Sequence, residues 1–405
     1  MAVGAVRQAR PEAQNAGQRG KNNGPGIKAG IVLAFTGQYT SVQLLARFLE
    51  LAGIRLVKSR VTTPEILQAG TTLASADFCL PLRTFVGHVY RLLTEHPDLT
   101  AIVAPNVLSE DGKSSTCSKY RDVGGVVIRS LGNNLGYLLH HLDADSRRRF
   151  QERWEKLAGG EMIKSCVERS AGLPAVIMPS IRSLDWVDMR NVCFNVYADL
   201  VGWRRACRAV FLLPEMVRRR IGGTVQRVEE AFRRAYGEVV GKRTARYKEL
   251  LAAGEKPRLA LVGRPYLIND PVLTSDLKRW FEKRGVAVLT ADDLPAELLA
   301  PGFQAAEGFY DTYKEARGFV DWALDKVDGF ICMGSFGCHP DAFQVDYLAE
   351  YIRARGIPCW TFRFDETVGS AGFQTRFETI LAFLQERRDR RLASISTSSA
   401  SGPAR

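Results

Sequence analysis

Short apolar runs alternate with amphipathic stretches along most of this chain. Gly30-Ile31-Val32-Leu33-Ala34-Phe35 is a continuous apolar run, which predicts a buried strand. Thr40 to Ala52 has helical spacing, with Thr40 or Ser41 as cap and Gly53 as stop. Ile54 to Lys58 predicts a strand, Thr63-Pro64-Glu65 the start of a short helix, and Leu80 to Leu93 a longer one. Leu99 to Pro105 and Val123 to Leu131 predict two further strands. Strands and helices alternating over short links make an α/β fold, with parallel sheets covered by helices.

From 132 to 256 the pattern is mostly helical. Arg147 to Leu157 and Val225 to Leu251 have helical spacing, and Ala175-Val176-Ile177-Met178-Pro179 is a strand or a connector. Arg218-Arg219-Arg220 fits a solvated helix face better than a phosphate site. The alternation resumes at Pro257. Arg258 to Gly263, Val286 to Leu289, Asp328 to Met333 and Ile357 to Phe362 predict strands. Val272 to Arg284, Phe309 to Lys326, Ala342 to Arg353 and Phe373 to Leu384 predict helices. The chain therefore divides into a disordered basic tail over 1–27, an N-terminal α/β domain over 28–131, a helical middle segment over 132–256, a C-terminal α/β domain over 257–388 and a flexible tail over 389–405.

Two cysteines share one context. Cys338 follows the predicted strand ending at Met333 and a turn with two glycines, and stands two residues before Pro340 at a helix start. Cys79 stands two residues before Pro81 at another. A thiolate is favoured where the free N–H groups of a helix start collect. Either cysteine alone fits an ordinary buried apolar side chain. The matched pair, one in each half, favours function. Cys117 lies in a polar loop beyond the strand at 99–105, at the edge where open α/β sheets bind ligands. Tyr266, Ser335 and Asp365 also fall at strand ends. Cys166, Cys193, Cys207, Cys332 and Cys359 fall within predicted helices or strands and belong to the core. His339 adjoins Cys338 and is a candidate for a role beside it, whereas His88 fits a plain helix-face residue better. Thiolates from both halves could hold a soft metal centre, and three of them would leave one iron of an iron–sulfur cluster open.

Composition narrows the setting. The chain has 405 residues, 46% of them hydrophobic and 25% charged, as in soluble globular proteins. No apolar run reaches membrane-span length, the first residues lack the apolar core of a secretory signal, and the scattered cysteines fit a cytoplasmic setting with reduced thiols. The net charge of +12 is compatible with nucleic acid, a phosphate-rich ligand or an acidic partner, or with solvation alone. No compact basic run with interleaved aromatics points to nucleic acid. There is no Walker loop, GxGxxG, HExxH or paired CxxC.

At DFCLPLRTFVGHVYRLL (77–93), LVGRPYLINDPVL (261–273), SFGCHPDAFQVDYLAEYI (335–352) and DETVGSAGFQTRFETILAFL (365–384), the chain resembles the 2-hydroxyacyl-CoA dehydratase and benzoyl-CoA reductase subunits. It is most similar to their activase-related relatives. The resemblance implies two Rossmann-like domains with a [4Fe-4S] cluster between them, held by Cys79, Cys117 and Cys338. Cys117 departs from the pattern, with Ser118 where a proline often follows. His339, Ser335, His88, Arg264 and Tyr266 are candidates for the surrounding shell. In this family a separate ATP-dependent activator supplies low-potential electrons. The matching pieces are not those of the activator's actin-like ATPase domain, so the resemblance places the chain on the receiving side of electron transfer. A homologous subunit is the other implied partner, and a CoA-thioester or small molecule the implied substrate. A non-catalytic carrier of a cluster or electron, and a cluster-free binding scaffold, remain alternatives.

Overall fold

The computed structural model describes residues 26–37, 39–59, 61–133, 167–168, 175–201, 215–240, 246–252, 254–308, 310–365 and 370–400. The predicted helix over Arg147 to Leu157, the tail over 1–25, Cys166 and Cys207 lie outside them.

In chain order the first part runs β1 (Lys28–Ile31), α1 (Leu33–Thr36), α2 (Thr40–Leu51), β2 (Arg55–Lys58), α3 (Pro64–Leu73), α4 (Leu80–Glu95), β3 (Ala101–Val103), β4 (Asn106–Val107) and α5 (Val123–Asn133). Then follow β5 (Val167–Glu168), β6 (Ala175–Ile177), β7 (Ser180–Ile181), α6 (Trp186–Leu200), α7 (Glu215–Val240) and α8 (Arg246–Ala252). The last part comprises β8 (Arg258–Val262), α9 (Pro265–Ile268), α10 (Leu277–Glu282), β9 (Ala287–Leu289), α11 (Ala296–Ala305), α12 (Asp311–Ala323), β10 (Gly329–Ser335), α13 (His339–Arg353), β11 (Cys359–Phe364) and α14 (Ser370–Ala400).

The fold is α/β, built on two Rossmann-like sheets. The first has the order β2-β1-β3-β6-β5, parallel except for the antiparallel edge strand β5. The second has the order β11-β10-β8-β9 and is parallel throughout. β10 is buried along its whole length, which explains its unbroken apolar run. One hydrophobic cluster holds residues of both sheets, from Ile31 and Leu45 to Leu261 and Phe281. A second covers the other face of the second sheet, with Val262, Phe319, Phe330 and Leu348.

Several elements differ from the sequence pattern. Val123–Leu131 is helical, not a strand, because an apolar run alone does not separate the two states. The segment over 132–256 is not only helical: it supplies β6 to the first sheet, while α6 and α7 pack beside α2. The helix predicted over Val272 to Arg284 shrinks to α10. The residues before it turn instead, with the Asp270 carboxylate accepting the Val272 and Leu273 N–H groups at 3.0 Å. The last helix runs on to Ala400, through the segment expected to be a flexible tail. Neither Thr40 nor Ser41 caps α2. Tyr39 holds the cap position without a side-chain bond, and Glu110 reaches across to accept the Ser41 N–H at 2.7 Å.

Candidate functional site

Each sheet contains a point where successive strands leave in opposite directions. β1 is flanked by β2 and β3, and β8 by β9 and β10. Connections diverging from such a point open a crevice at the carboxyl ends of the strands. The two crevices adjoin. The Phe35 ring, just after β1, lies 5.4 Å from the Tyr266 ring, just after β8. The Ser115 carbonyl accepts the Asp311 N–H at 3.1 Å.

The cysteines reach this junction from three directions. Cys79 is the N-cap residue of α4 and Cys338 that of α13, each with a proline in the first turn. Neither side chain makes a close capping hydrogen bond, though the first-turn N–H groups of Leu82 and Asp341 favour the two thiolates. Gly337, at φ +74, lets the chain turn into Cys338, and a Cβ placed there would lie 3.7 Å from the Cys79 Cα. Cys117 is half-buried in the loop after β4, where its carbonyl accepts the Tyr120 N–H at 2.9 Å. The thiols act on one another electrostatically. Burial raises the Cys79 pKa; the Leu82 backbone N–H offsets this in part, and nearby Cys117 adds to the rise. Burial pushes Cys338 up to about 12, with Arg264 acting the other way and Asp341 and Cys79 adding to the rise. Such thiols stay protonated until a cation displaces the proton.

A buried ion pair holds the Cys338 loop. Arg264 Nε donates to Asp341 Oδ1 at 2.5 Å, and both side chains are almost fully enclosed. Asp341 Oδ2 accepts the Ser335 N–H at 3.3 Å and the Tyr266 hydroxyl at 3.5 Å. Tyr266 also lies 3.3 Å from the Ser335 hydroxyl. Asp341 thus ties the end of β8 to the turn between β10 and α13. Beside it, Tyr120 stacks on Phe35 at 4.1 Å and meets Tyr39 edge-on at 5.1 Å. Asp311 opens α12 nearby. Burial pushes its carboxyl up to about 7, against the Thr312 N–H that favours the charged form.

Four buried polar atoms here have no hydrogen-bond partner among the described residues: Tyr39 Oη, Tyr120 Oη, and Nη1 and Nη2 of Arg264. Uncompensated buried donors are costly. Idle donors beside the Cys338 turn are of the kind that could serve an anionic, acceptor-rich group held by these cysteines. Among the described residues, no set of three or more His, Cys, Asp or Glu side chains is disposed around a single ion. A cluster makes a different demand, because each thiolate takes its own iron and the sulfurs stand further apart.

The other site candidates divide. Arg264, Tyr266 and Ser335 belong to the network beside Cys338. His339 begins α13 as an exposed residue. His88 is fully buried away from the cysteines, its Nε2 3.0 Å from Thr62 Oγ1, while Thr62 donates to Asp270. Asp365 follows β11 and is half-buried. Cys193 is fully buried in α6, and Cys332 and Cys359 lie in the sheet core with their sulfurs 3.5 Å apart. The sequence reading passed over Tyr39, Tyr120, Asp311 and Glu110. A polar residue at the N-cap position or in the first turn of a helix is the signal that Tyr39 and Asp311 carried.

Two Rossmann-like sheets whose crevices adjoin, with cysteines at the helix starts beside them, define an α/β protein of two joined halves. A family model described as the CoA enzyme activase uncharacterised domain matches residues 29–171 and 170–294. The chain belongs to that family, which is related to the 2-hydroxyacyl-CoA dehydratase and activase proteins. Cys79, Cys117 and Arg264 fall within the matched residues, and Cys338 lies beyond them. No curated protein matches the chain. Among the described residues, no helix is long and apolar enough to cross a membrane.

Proposed function

We propose that this chain is an iron–sulfur protein resembling the 2-hydroxyacyl-CoA dehydratase subunits, with Cys79, Cys117 and Cys338 as the ligands of a [4Fe-4S] cluster. Bound there, the cluster would take up low-potential electrons from a separate ATP-dependent activator for reduction or dehydration of a CoA-linked or small substrate. The observation that supports this reading is the approach of the Cys338 turn in one half to Cys79 in the other, beside unpartnered donors.

In this reading the protein's own residues have distinct tasks. The Asp341 carboxylate fixes the Cys338 turn through Ser335 and Tyr266. The Arg264 charge favours anions beside the Cys338 turn. The aromatic rings of Phe35, Tyr39, Tyr120 and Tyr266 exclude water. Asp311 holds a proton near neutral pH within reach of the Arg264 and Glu110 charges.

The test is anaerobic reconstitution followed by iron and sulfide analysis and an EPR spectrum of the reduced protein. Cys338→Ala should lose stable cluster binding and keep its fold, whereas Cys332→Ala should keep its iron. Full iron in Cys338→Ala with loss in Cys332→Ala would reverse the assignment. A parent protein that never takes up iron would leave the binding-scaffold reading.

A further inference from the structure

Arg264 is a charged side chain only 3% exposed. Of its five N–H groups, the one on Nε is committed to Asp341. The two outer nitrogens carry the other four, and neither has a partner among the described residues. Asp341 cannot turn to serve them, because its second oxygen is engaged by Ser335 and Tyr266. Asp341 lies in the first turn of α13, directly beyond its N-cap residue Cys338, and its other oxygen accepts the Ser335 N–H from the near side of the same turn. The guanidinium is therefore held against the turn that carries Cys338. A rigid planar fork held by an ion pair on one side and left open on the other is prearranged for an anion.

We propose that Arg264 is a positioning residue for a cluster held at the Cys338 turn, its outer N–H groups bonding to cluster or cysteine sulfur and setting the reduction potential. The inference rests on the cluster reading above. Reduction adds one electron from an external low-potential donor, and with it one negative charge. A buried positive charge beside that site stabilises the reduced form, and hydrogen bonds to sulfur act in the same direction. Asp341 opposes it with a charge of the other sign. The two residues should therefore shift the potential in opposite directions, a pattern that simple loosening of the loop would not produce.

The experiment is an EPR-monitored redox titration of the reconstituted full-length protein, with iron and sulfide measured on each sample and dithionite as reductant. Arg264→Gln should lower the midpoint by at least about 59 mV, a tenfold change in the one-electron equilibrium. Arg264→Lys keeps the charge without the fork and should move it less, in the same direction. Asp341→Asn should raise it. If Arg264→Gln does not fold because it strands the Asp341 carboxylate, Arg264→Lys and Asp341→Asn still decide. Unmoved midpoints in iron-loaded variants, or shifts of one sign in both, would overturn the inference while leaving the cluster in place. A parent protein without iron would remove both.

Discussion

His88 shows how burial fixes a residue's chemistry. It is fully enclosed, and burial pulls its pKa down to about 4. The folded state therefore keeps it neutral while the unfolded chain takes a proton below about 6.5. Stability should fall as pH drops from about 6.5 towards about 4, by up to about 3 kcal/mol from this group, and its contribution should vanish above that window. His88→Gln keeps an N–H for Thr62 and should flatten this acid-side slope in urea titrations run across the window. Cys332→Ala belongs at the same scale. The side chain is fully buried against Cys359, so deletion should cost about 1 kcal/mol or somewhat more in denaturant midpoint. Residues of this kind differ in how far the sequence discloses them. Cys79 and Cys338 stand out through the proline that follows each. Arg264 and Tyr266 stand out through their position after an apolar strand. Tyr39 and Tyr120 gain their importance from each other, and no local pattern encodes a ring contact between residues so far apart in the chain.

At the scale of elements, α4 is seated by contact with α3. Gly87 lies so near α3 that a Cβ there would collide with the Ile66 carbonyl, and Gly70 meets the Arg83 carbonyl in the same way. Gly87→Ala should part the two helices and cost about 1–3 kcal/mol, read from thermal or urea unfolding. On the cluster reading, the same variant should also weaken iron uptake, because Cys79 caps α4. The far end of α14 is held as well. Arg391 Nε donates to Asp328 Oδ1 at 2.9 Å, and its outer nitrogens reach the carbonyls of Gly254 and Lys256. Asp328 is 3% exposed, so Arg391→Ala should destabilise the protein by about 1–3 kcal/mol, whereas a loose tail would tolerate the change. The composition of Ser394 to Arg405 suggested such a tail. Low hydrophobicity did not reveal an arginine placed to cap the sheet. Alternation marked most strands correctly because each is bounded by turn residues. It misassigned Val123–Leu131, where β-branched residues and two glycines sit in a helix, with Gly124 tight against Met178.

At the scale of the molecule, the halves are joined by a shared core and a buried polar bridge. The bridge runs from His88 through Thr62 to Asp270, whose pKa burial raises. Thr62→Val would leave His88 Nε2 without its partner and Asp270 short of one, at a cost of about 1–3 kcal/mol. Since one hydrophobic cluster spans both sheets, far-UV circular dichroism and tryptophan fluorescence should report a single coincident transition for the parent protein. Separate transitions would show that the halves unfold independently. The existence of two parallel sheets was legible from alternation. The return of β6 to the first sheet was not, because a three-residue apolar run reads equally as a strand or a connector.

The contact between Gly337 and Cys79 has a consequence for the order of assembly. The residues concerned stand near opposite ends of the chain, so loop-closure entropy delays their meeting until most other contacts exist. During synthesis Cys79 and Cys117 emerge long before Cys338. The nascent protein must therefore carry two accessible thiols without their third companion. On the cluster reading, metal loading would be a late step of biogenesis, with oxidative pairing of the early thiols as the competing fate.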